Sequence, residues 1–354
     1  HSSPVIWENQ IWFTTALEEG KTLYAICIDK TNGEILFKKA LFHNDTLQET
    51  HELNSLASPS PVIEHDFVYL HFGTYGTACI NTKTFKTIWQ RTDINCDHMV
   101  GPKSSPILYK NLIIVHVDGG DVQYVIALDK KTGKTKWKTN RSYDFVDMNP
   151  DWRKAFATPL ITNTSGQDEL ISPGAYAVYS YNPDNGKEIW KVHYPKGFSN
   201  VWRPVVSENI VYVNSGFMKA QLYAIELGGK GNITKSHVLW KQRKQMGHRA
   251  SPLIVGDYIY ALKDESILSC LNKKTGDIKW SQRIKGKFSA SPIYANGHIY
   301  VSNHEGVTIV IKPSTSFEQV SENKLDSGIM ASLAISNNAL FIRTTSHIYC
   351  IETN

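Results

Sequence analysis

Apolar and polar residues alternate along this chain in short runs separated by turns. The clearest run is Val125-Ile-Ala-Leu-Asp-Lys-Lys-Thr-Gly-Lys-Thr-Lys-Trp-Lys138. It predicts an apolar strand, a turn at Lys131-Thr132-Gly133 and a second alternating strand that ends on Trp137. The same pattern recurs at 23–38 (LYAICIDKTNGEILFK), 179–191 (YSYNPDNGKEIWK) and 267–281 (ILSCLNKKTGDIKWS). Weaker copies lie at 77–90, at 222–241 with a longer turn, at 307–319 with Phe317 in the aromatic position, and at 347–352.

A second pair of strands precedes each hairpin. Its first strand opens on a small residue and a proline: Ser3-Pro4, Ser60-Pro61, Ser105-Pro106, Thr158-Pro159, Ser251-Pro252 and Ser291-Pro292. Arg203-Pro204 belongs to the same series, and Ser332-Leu333 is a degenerate eighth copy. Proline at the first residue of a strand removes no hydrogen bond that the strand needs. Each unit is thus four antiparallel strands, A to D. Eight such units predict an all-β, eight-bladed propeller occupying 1–354 as a single domain, with blades starting near 3, 60, 105, 158, 203, 251, 291 and 332. Strand A lines the central channel and strand D the rim. The D-to-A and B-to-C loops then share one face and the tight A-to-B and C-to-D turns the other. The last copy stops at Tyr349-Cys-Ile-Glu without a strand D. A segment ahead of residue 1 is expected to supply that outer strand; the other solution is closure by three strands.

Composition changes this picture little. Lys+Arg 38 against Asp+Glu 33 gives a net charge of +5, which is too mild for a nucleic-acid footprint, so no nucleic-acid partner is expected. No apolar run approaches the roughly 18 to 20 residues that cross a bilayer, so no transmembrane segment is expected. The chain opens abruptly on His-Ser-Ser-Pro, as if a leader had been trimmed, which keeps export and a lipid anchor ahead of residue 1 open. Four of the five cysteines, Cys27, Cys79, Cys270 and Cys350, occupy one repeat position, two residues before the residue that opens the C-to-D turn. Other copies place Ala127, Ser180 or Ala224 there, so the position reads as a tight packing slot for inert thiols. Cys96 lies outside this pattern. An odd count without CxxC spacing argues against a disulfide framework or a zinc site, and no metal is expected.

The repeat, with its acid, Lys-Thr-Gly turn and terminal aromatic (Phe37, Trp89, Trp137, Trp190, Trp240, Trp280, Phe317), resembles the PQQ-like β-propeller repeat over the whole chain. More narrowly, Ala57-Ser-Pro-Ser-Pro, His71-Phe-Gly-Thr, the run from Asp121 to Lys134, Ser172-Pro-Gly-Ala and Ser289-Ala-Ser-Pro are similar to exported bacterial proteins of the BamB-like, PQQ-binding-like group. The resemblance implies a periplasmic or extracellular monomer. The family's quinoprotein dehydrogenases hold their quinone with a Cys-Cys pair, a tryptophan floor and a calcium site. No two cysteines are adjacent here, so no PQQ and no other cofactor is expected.

The strand assignment gathers polar residues at the channel mouth. Strand-A starts and the loops before them bring Lys103, Lys154, Arg203, His248, Arg249, Lys287, His51, Asn54 and His98, while B-to-C loops bring His71, Asp118, Asp121, Tyr176, Asp264 and His304. The candidate ligand set is His51, Asn54, His71, Asp118, Asp121, Lys154, Trp202, Arg203, His248, Arg249 and His304; Trp152 and Trp202 fall outside the aromatic repeat position. Two readings are open. The basic groups form an anion site with Arg203 and Arg249 as bidentate donors, or they pair with Asp97, Asp118, Asp121 and Asp264 and wall a polar channel. Asp118-Gly-Gly-Asp121 is too short for a calcium loop. No phosphate loop, nucleophile elbow or HExxH is present. The expected function is a non-catalytic scaffold binding a protein partner or an anionic oligosaccharide at the loop face. The alternative is a lyase or hydrolase of acidic polysaccharide, with His71, His98, Tyr176 and Arg203 as catalytic candidates.

Overall fold

The computed structural model describes residues 1–164, 166–218 and 220–352. Eight sheets follow one another along the chain; six have the simple antiparallel order A-B-C-D, blade 4 adds a fifth strand in parallel and blade 8 has A-B-C among the described residues. Blade 3 shows the plan: strand A is Ile107–Tyr109, B is Leu112–Asp118, C is Gln123–Asp129 and D is Thr135–Asn140. Among the described residues helix is confined to single 3-10 turns at Glu18–Gly20 and Pro150–Trp152. No helix among the described residues is long and apolar enough to cross a membrane.

Every strand A begins two residues after the small residue of its pair, at Val5, Val62, Ile107, Leu160, Val205, Leu253, Ile293 and Ala334. The reason for the small residue is a ring of hydrogen bonds. The Ser3 amide donates to Ser60 Oγ at 2.8 Å, Ser60 to Ser105 Oγ at 2.9 Å and Ser105 to Thr158 Oγ1 at 3.3 Å. Arg203 donates to Ser251 Oγ at 2.9 Å, Ser251 to Ser291 Oγ at 2.9 Å, Ser291 to Ser332 Oγ at 3.0 Å, and Ser332 back to Ser3 Oγ at 3.1 Å. Each strand-A start thus uses the next blade's hydroxyl to satisfy an amide that no ladder reaches. The one missing link runs from Thr158 to Arg203, whose side chain has no hydroxyl.

The C-to-D hairpin is equally legible. Asp129 Oδ1 accepts from the Lys131 and Thr132 amides, and Gly133 follows with φ 70°, donating to the Asp129 carbonyl at 2.8 Å. The terminal aromatic then lies directly across the strand pair from the small slot: Cys27 faces Phe37, Cys79 faces Trp89, Ala127 faces Trp137, Ser180 faces Trp190, Ala224 faces Trp240 and Cys270 faces Trp280. The indole continues onto the next blade. Trp89 Nε1 donates to the Lys130 carbonyl at 2.8 Å, and its ring lies where a Cβ on Gly133 would stand, 2.7 Å away. Trp137 repeats this on Gly186 and Trp240 on Gly276.

Blade 8 has three strands among the described residues, Ala334–Ser336, Ala339–Arg343 and Ile348–Glu352. The ring closes regardless: Ile11, Ala339 and Phe341 pack together across blades 1 and 8, and Arg343 donates to the Ser2 carbonyl at 2.8 Å. Without a strand D, Cys350 is exposed, unlike the buried Cys27, Cys79 and Cys270, so its predicted burial is corrected. Nothing stands against Gly33 of blade 1, the position where an eighth aromatic would dock. That an outer strand is added by a segment ahead of residue 1 remains our proposal. The longer turn of blade 5 sends Gly231–Asn232 back to pair in parallel with Trp190 and Lys191, covering the edge of blade 4.

Removing a ring acceptor should leave an amide unsatisfied. Ser105→Ala is expected to cost about 1–3 kcal/mol, and Arg203→Ser, which completes the ring, to gain about 1 kcal/mol. Urea unfolding midpoints at constant m-value measure both.

Candidate functional site

The D-to-A loops between blades 1 and 6 lean over the inner ends of the strands and enclose a cavity of about 430 Å³ at the channel mouth. Its floor is the hydroxyl ring, with Ser3, Ser60, Ser251, Ser291 and Ser332 exposed to it. Its walls carry His51, Asn54, Lys103, Lys154, His248 and Arg249 between Phe156, Phe198 and Phe217. Of the sequence-predicted ligand residues, the fold therefore brings together His51, Asn54, Lys154, His248 and Arg249.

Most of these cations are already paired. Lys154 donates to the Asp151 carbonyl at 2.8 Å and contacts its carboxylate. Asp264 serves two residues: its Oδ2 lies 2.5 Å from His248 Nδ1 and its Oδ1 lies 3.2 Å from Arg249 Nε. Burial pushes the Asp264 carboxyl up, but hydrogen bonding and charge from His248 and Arg249 outweigh it and hold the pKa below its ordinary value. Asn54 is pinned by its Nδ2 bond to the Val100 carbonyl at 2.8 Å, and His51 Nδ1 accepts from the Leu53 amide at 3.1 Å.

Lys103 differs. Among the described residues it has no carboxylate within ion-pair distance and no hydrogen-bond acceptor; its ammonium stands 5.5 Å from the centre of the Phe156 ring. Burial, with the like charges of Arg249 and Lys154, pushes its pKa down to about 8. Sequence reading placed Lys103 at the mouth but left it out of the ligand set, because nothing in the chain says which lysine lacks an acid.

Other candidates lie elsewhere. His71 and His98 line a cavity of about 10 Å³ behind Lys103, too small for a substrate. His71 Nδ1 bonds Thr77 Oγ1 at 2.8 Å, and His98 Nε2 accepts from the Thr74 amide at 2.9 Å. Burial lowers their pKa values to about 3 and about 4, with Asp121 opposing slightly at His98. Cys96, also buried, has its Sγ 3.4 Å from His98 Nδ1. Asp118 is not a ligand-facing acid: both its oxygens take the Arg141 guanidinium, at 3.0 and 2.7 Å, in a buried pair that also stacks on Tyr179. Sequence reading missed Arg141, since it follows strand D of blade 3 while its partner ends strand B, with strand C between them. Asp121 accepts from the Asp97 amide at 2.7 Å and is spent on that turn. Tyr176, at φ 61°, stacks on Tyr143 with centroids 5.4 Å apart, away from the mouth. His304 Nε2 pairs with Ser289 Oγ at 2.8 Å just outside the cavity wall. Arg203 is exposed and is not among the residues that line the mouth cavity with Arg249 and Lys154. Trp202 is 1% exposed and packs with Tyr212 and Leu222, so it is core; Trp152 is the solvent-facing one at 46%.

A family model described as outer membrane protein assembly factor BamB matches residues 7–162 and 123–354. The chain belongs to this BamB-like family of PQQ-type propellers. Among curated protein sequences none matches. In fold it is similar to BamB from Moraxella catarrhalis, with TM-score 0.68 and 13% identity over 97% of this chain and 91% of that one. A europium-containing methanol dehydrogenase aligns with TM-score 0.71 and 10% identity over 96% and 81% of the two chains, and the computationally designed Ika8 protein with 0.67 and 11% over 100% and 97%. The residues present do not fit a quinone held by a cysteine pair: Cys27, Cys79 and Cys270 sit inside separate blades opposite aromatic side chains, and Cys96 sits beside His98.

The buried neutral histidines make the fold acid-sensitive. With folded pKa values below the unfolded 6.5, their stabilisation is full above pH 6.5 and is lost as pH falls towards 4 and 3. Each contributes a slope of up to about 1.4 kcal/mol per pH unit. His71→Gln should flatten the decline by about one such share, read from urea midpoints between pH 7 and 4.

Proposed function

We propose that this chain is a non-catalytic binding module of the bacterial cell envelope that docks a protein partner on its loop face. The observation that carries the reading is the apolar rim of the charged mouth. Phe217 lines the cavity, is 43% exposed and meets the His248 ring edge-on at 5.1 Å. Met218, beside it, is exposed and held at φ 74°, and Trp152 and Val146 are exposed on the loop between blades 3 and 4. Exposed aromatic and apolar groups around a polar pocket are the usual composition of a protein-docking surface. A non-glycine residue kept at positive φ with its side chain in solvent also fits a site shaped for something beyond the chain itself. The envelope assignment rests on the family to which the chain belongs.

An anionic oligosaccharide is the competing ligand. The lyase or hydrolase alternative has less support, because none of His71, His98, Tyr176 and Arg203 lines the mouth cavity.

A photoreactive phenylalanine analogue placed at position 217 tests the reading, with position 32 on the opposite face as control. Irradiation in envelope-containing cells should give a discrete protein adduct from 217 and none from 32. Adducts equal from both faces, or none from 217, would contradict it.

A further inference from the structure

The mouth cavity holds a charge without a counter-charge. Lys154 is matched by Asp151, and His248 and Arg249 by Asp264. Lys103 is left over, and it lines both the mouth cavity and the small cavity behind it. We propose that the partner is anchored by one carboxylate, carried on an acidic side chain flanked by apolar ones, that pairs with the Lys103 ammonium while Phe156, Phe198 and Phe217 surround its stem. This rests on the docking role proposed above and names the group that enters the cavity.

Three features select this ligand. A cation without an acid partner in a partly desolvated site strengthens any anion brought to it. The aromatic wall favours an apolar stem over a hydroxylated ring: Phe156 and Phe198 are buried walls and Phe217 is the exposed lip. The volume of about 430 Å³ admits one side chain with its neighbours.

Binding then carries a pH signature. The charged and titratable groups around Lys103 are Arg249, Lys154, Asp151, His51, His248 and His1 in the mouth, with His71, His98, His116 and Asp118 in the small cavity. Asp118 is neutralised by Arg141, and burial keeps the three inner histidines neutral near pH 7. Lys103, with its pKa near 8, is the group that changes charge between pH 7 and 9. A ligand that needs it charged loses about tenfold in affinity over that interval.

The test uses the full chain labelled with methyl-carbon-13 methionine, because Met330 faces the cavity. Phenylacetate and its neutral isostere phenylacetamide are titrated while the Met330 methyl resonance is followed. Phenylacetate should shift it saturably and at least tenfold more tightly than phenylacetamide. Lys103→Gln should abolish that preference, whereas Lys103→Arg should keep it and hold the affinity constant from pH 7 to 9. Equal response to both probes, or no effect of Lys103→Gln, would overturn the anchor. Tighter binding of glucuronate than of phenylacetate would overturn the peptide assignment in favour of an acidic sugar. A persistent adduct from position 217 with no probe preference leaves docking standing and removes the carboxylate anchor. Probe preference with no adduct does the reverse.

Discussion

The hydrogen-bonded ring at the inner ends of the blades is the constraint on which the rest depends. Strand A begins where the sheets converge on the axis, and at that radius there is no room for a ladder partner on the inner side. Its first amide would be orphaned in every blade, at a cost of about 1–3 kcal/mol each. A small hydroxyl from the next blade answers this seven times in succession and ties blade 8 to blade 1 through Ser332 and Ser3. The proline that follows every ring hydroxyl except Ser332 has no amide of its own to satisfy. At the rim, the terminal aromatic spans to the next blade and packs on its turn glycine, as Trp89 does on Gly133. Axis and rim together lock most blades to their neighbours, and the loops above are left free to carry function.

At the mouth the deciding matter is charge accounting. A mildly basic chain places several cations around one cavity, yet each acid within reach is already committed. Asp264 takes two of them, Asp151 takes Lys154, and Asp118 is withdrawn into the blade by Arg141. Lys103 is the remainder. A residual positive charge over a polar floor, ringed by aromatic walls and an exposed apolar lip, suits docking better than proton transfer. The histidines that would serve as bases are buried hydrogen-bonding partners in the blade interior.

The architecture was legible because it is written repeatedly. Alternation, the acid-Lys-Thr-Gly turn and the small-residue-proline pair each recur often enough that one blade explains the others. The cysteine slot was legible for the same reason, and its failure at Cys350 follows from the absence, among the described residues, of a fourth strand beside it. Site residues do not repeat, and their fate depends on which way a single side chain turns. Trp202 and Trp152 both lie outside the aromatic repeat position, but one is core and the other faces solvent. Asp118 and Lys154 looked alike as mouth residues, yet Asp118 faces a guanidinium 23 positions away that no local pattern announces. Arg203 occupies a hydroxyl position of the ring, which explains its place in the repeat but not the direction of its side chain.

The central claim is that function resides on the loop face and that the opposite face is scaffold. Backbone hydrogen exchange of the protein, alone and with its cross-linked partner, tests this most directly. The account predicts slowed exchange in the loops at 144–156, 196–203 and 244–250, with the turns at 29–33, 129–133 and 272–276 unchanged. Protection confined to those turns, or spread evenly around the ring, would contradict it.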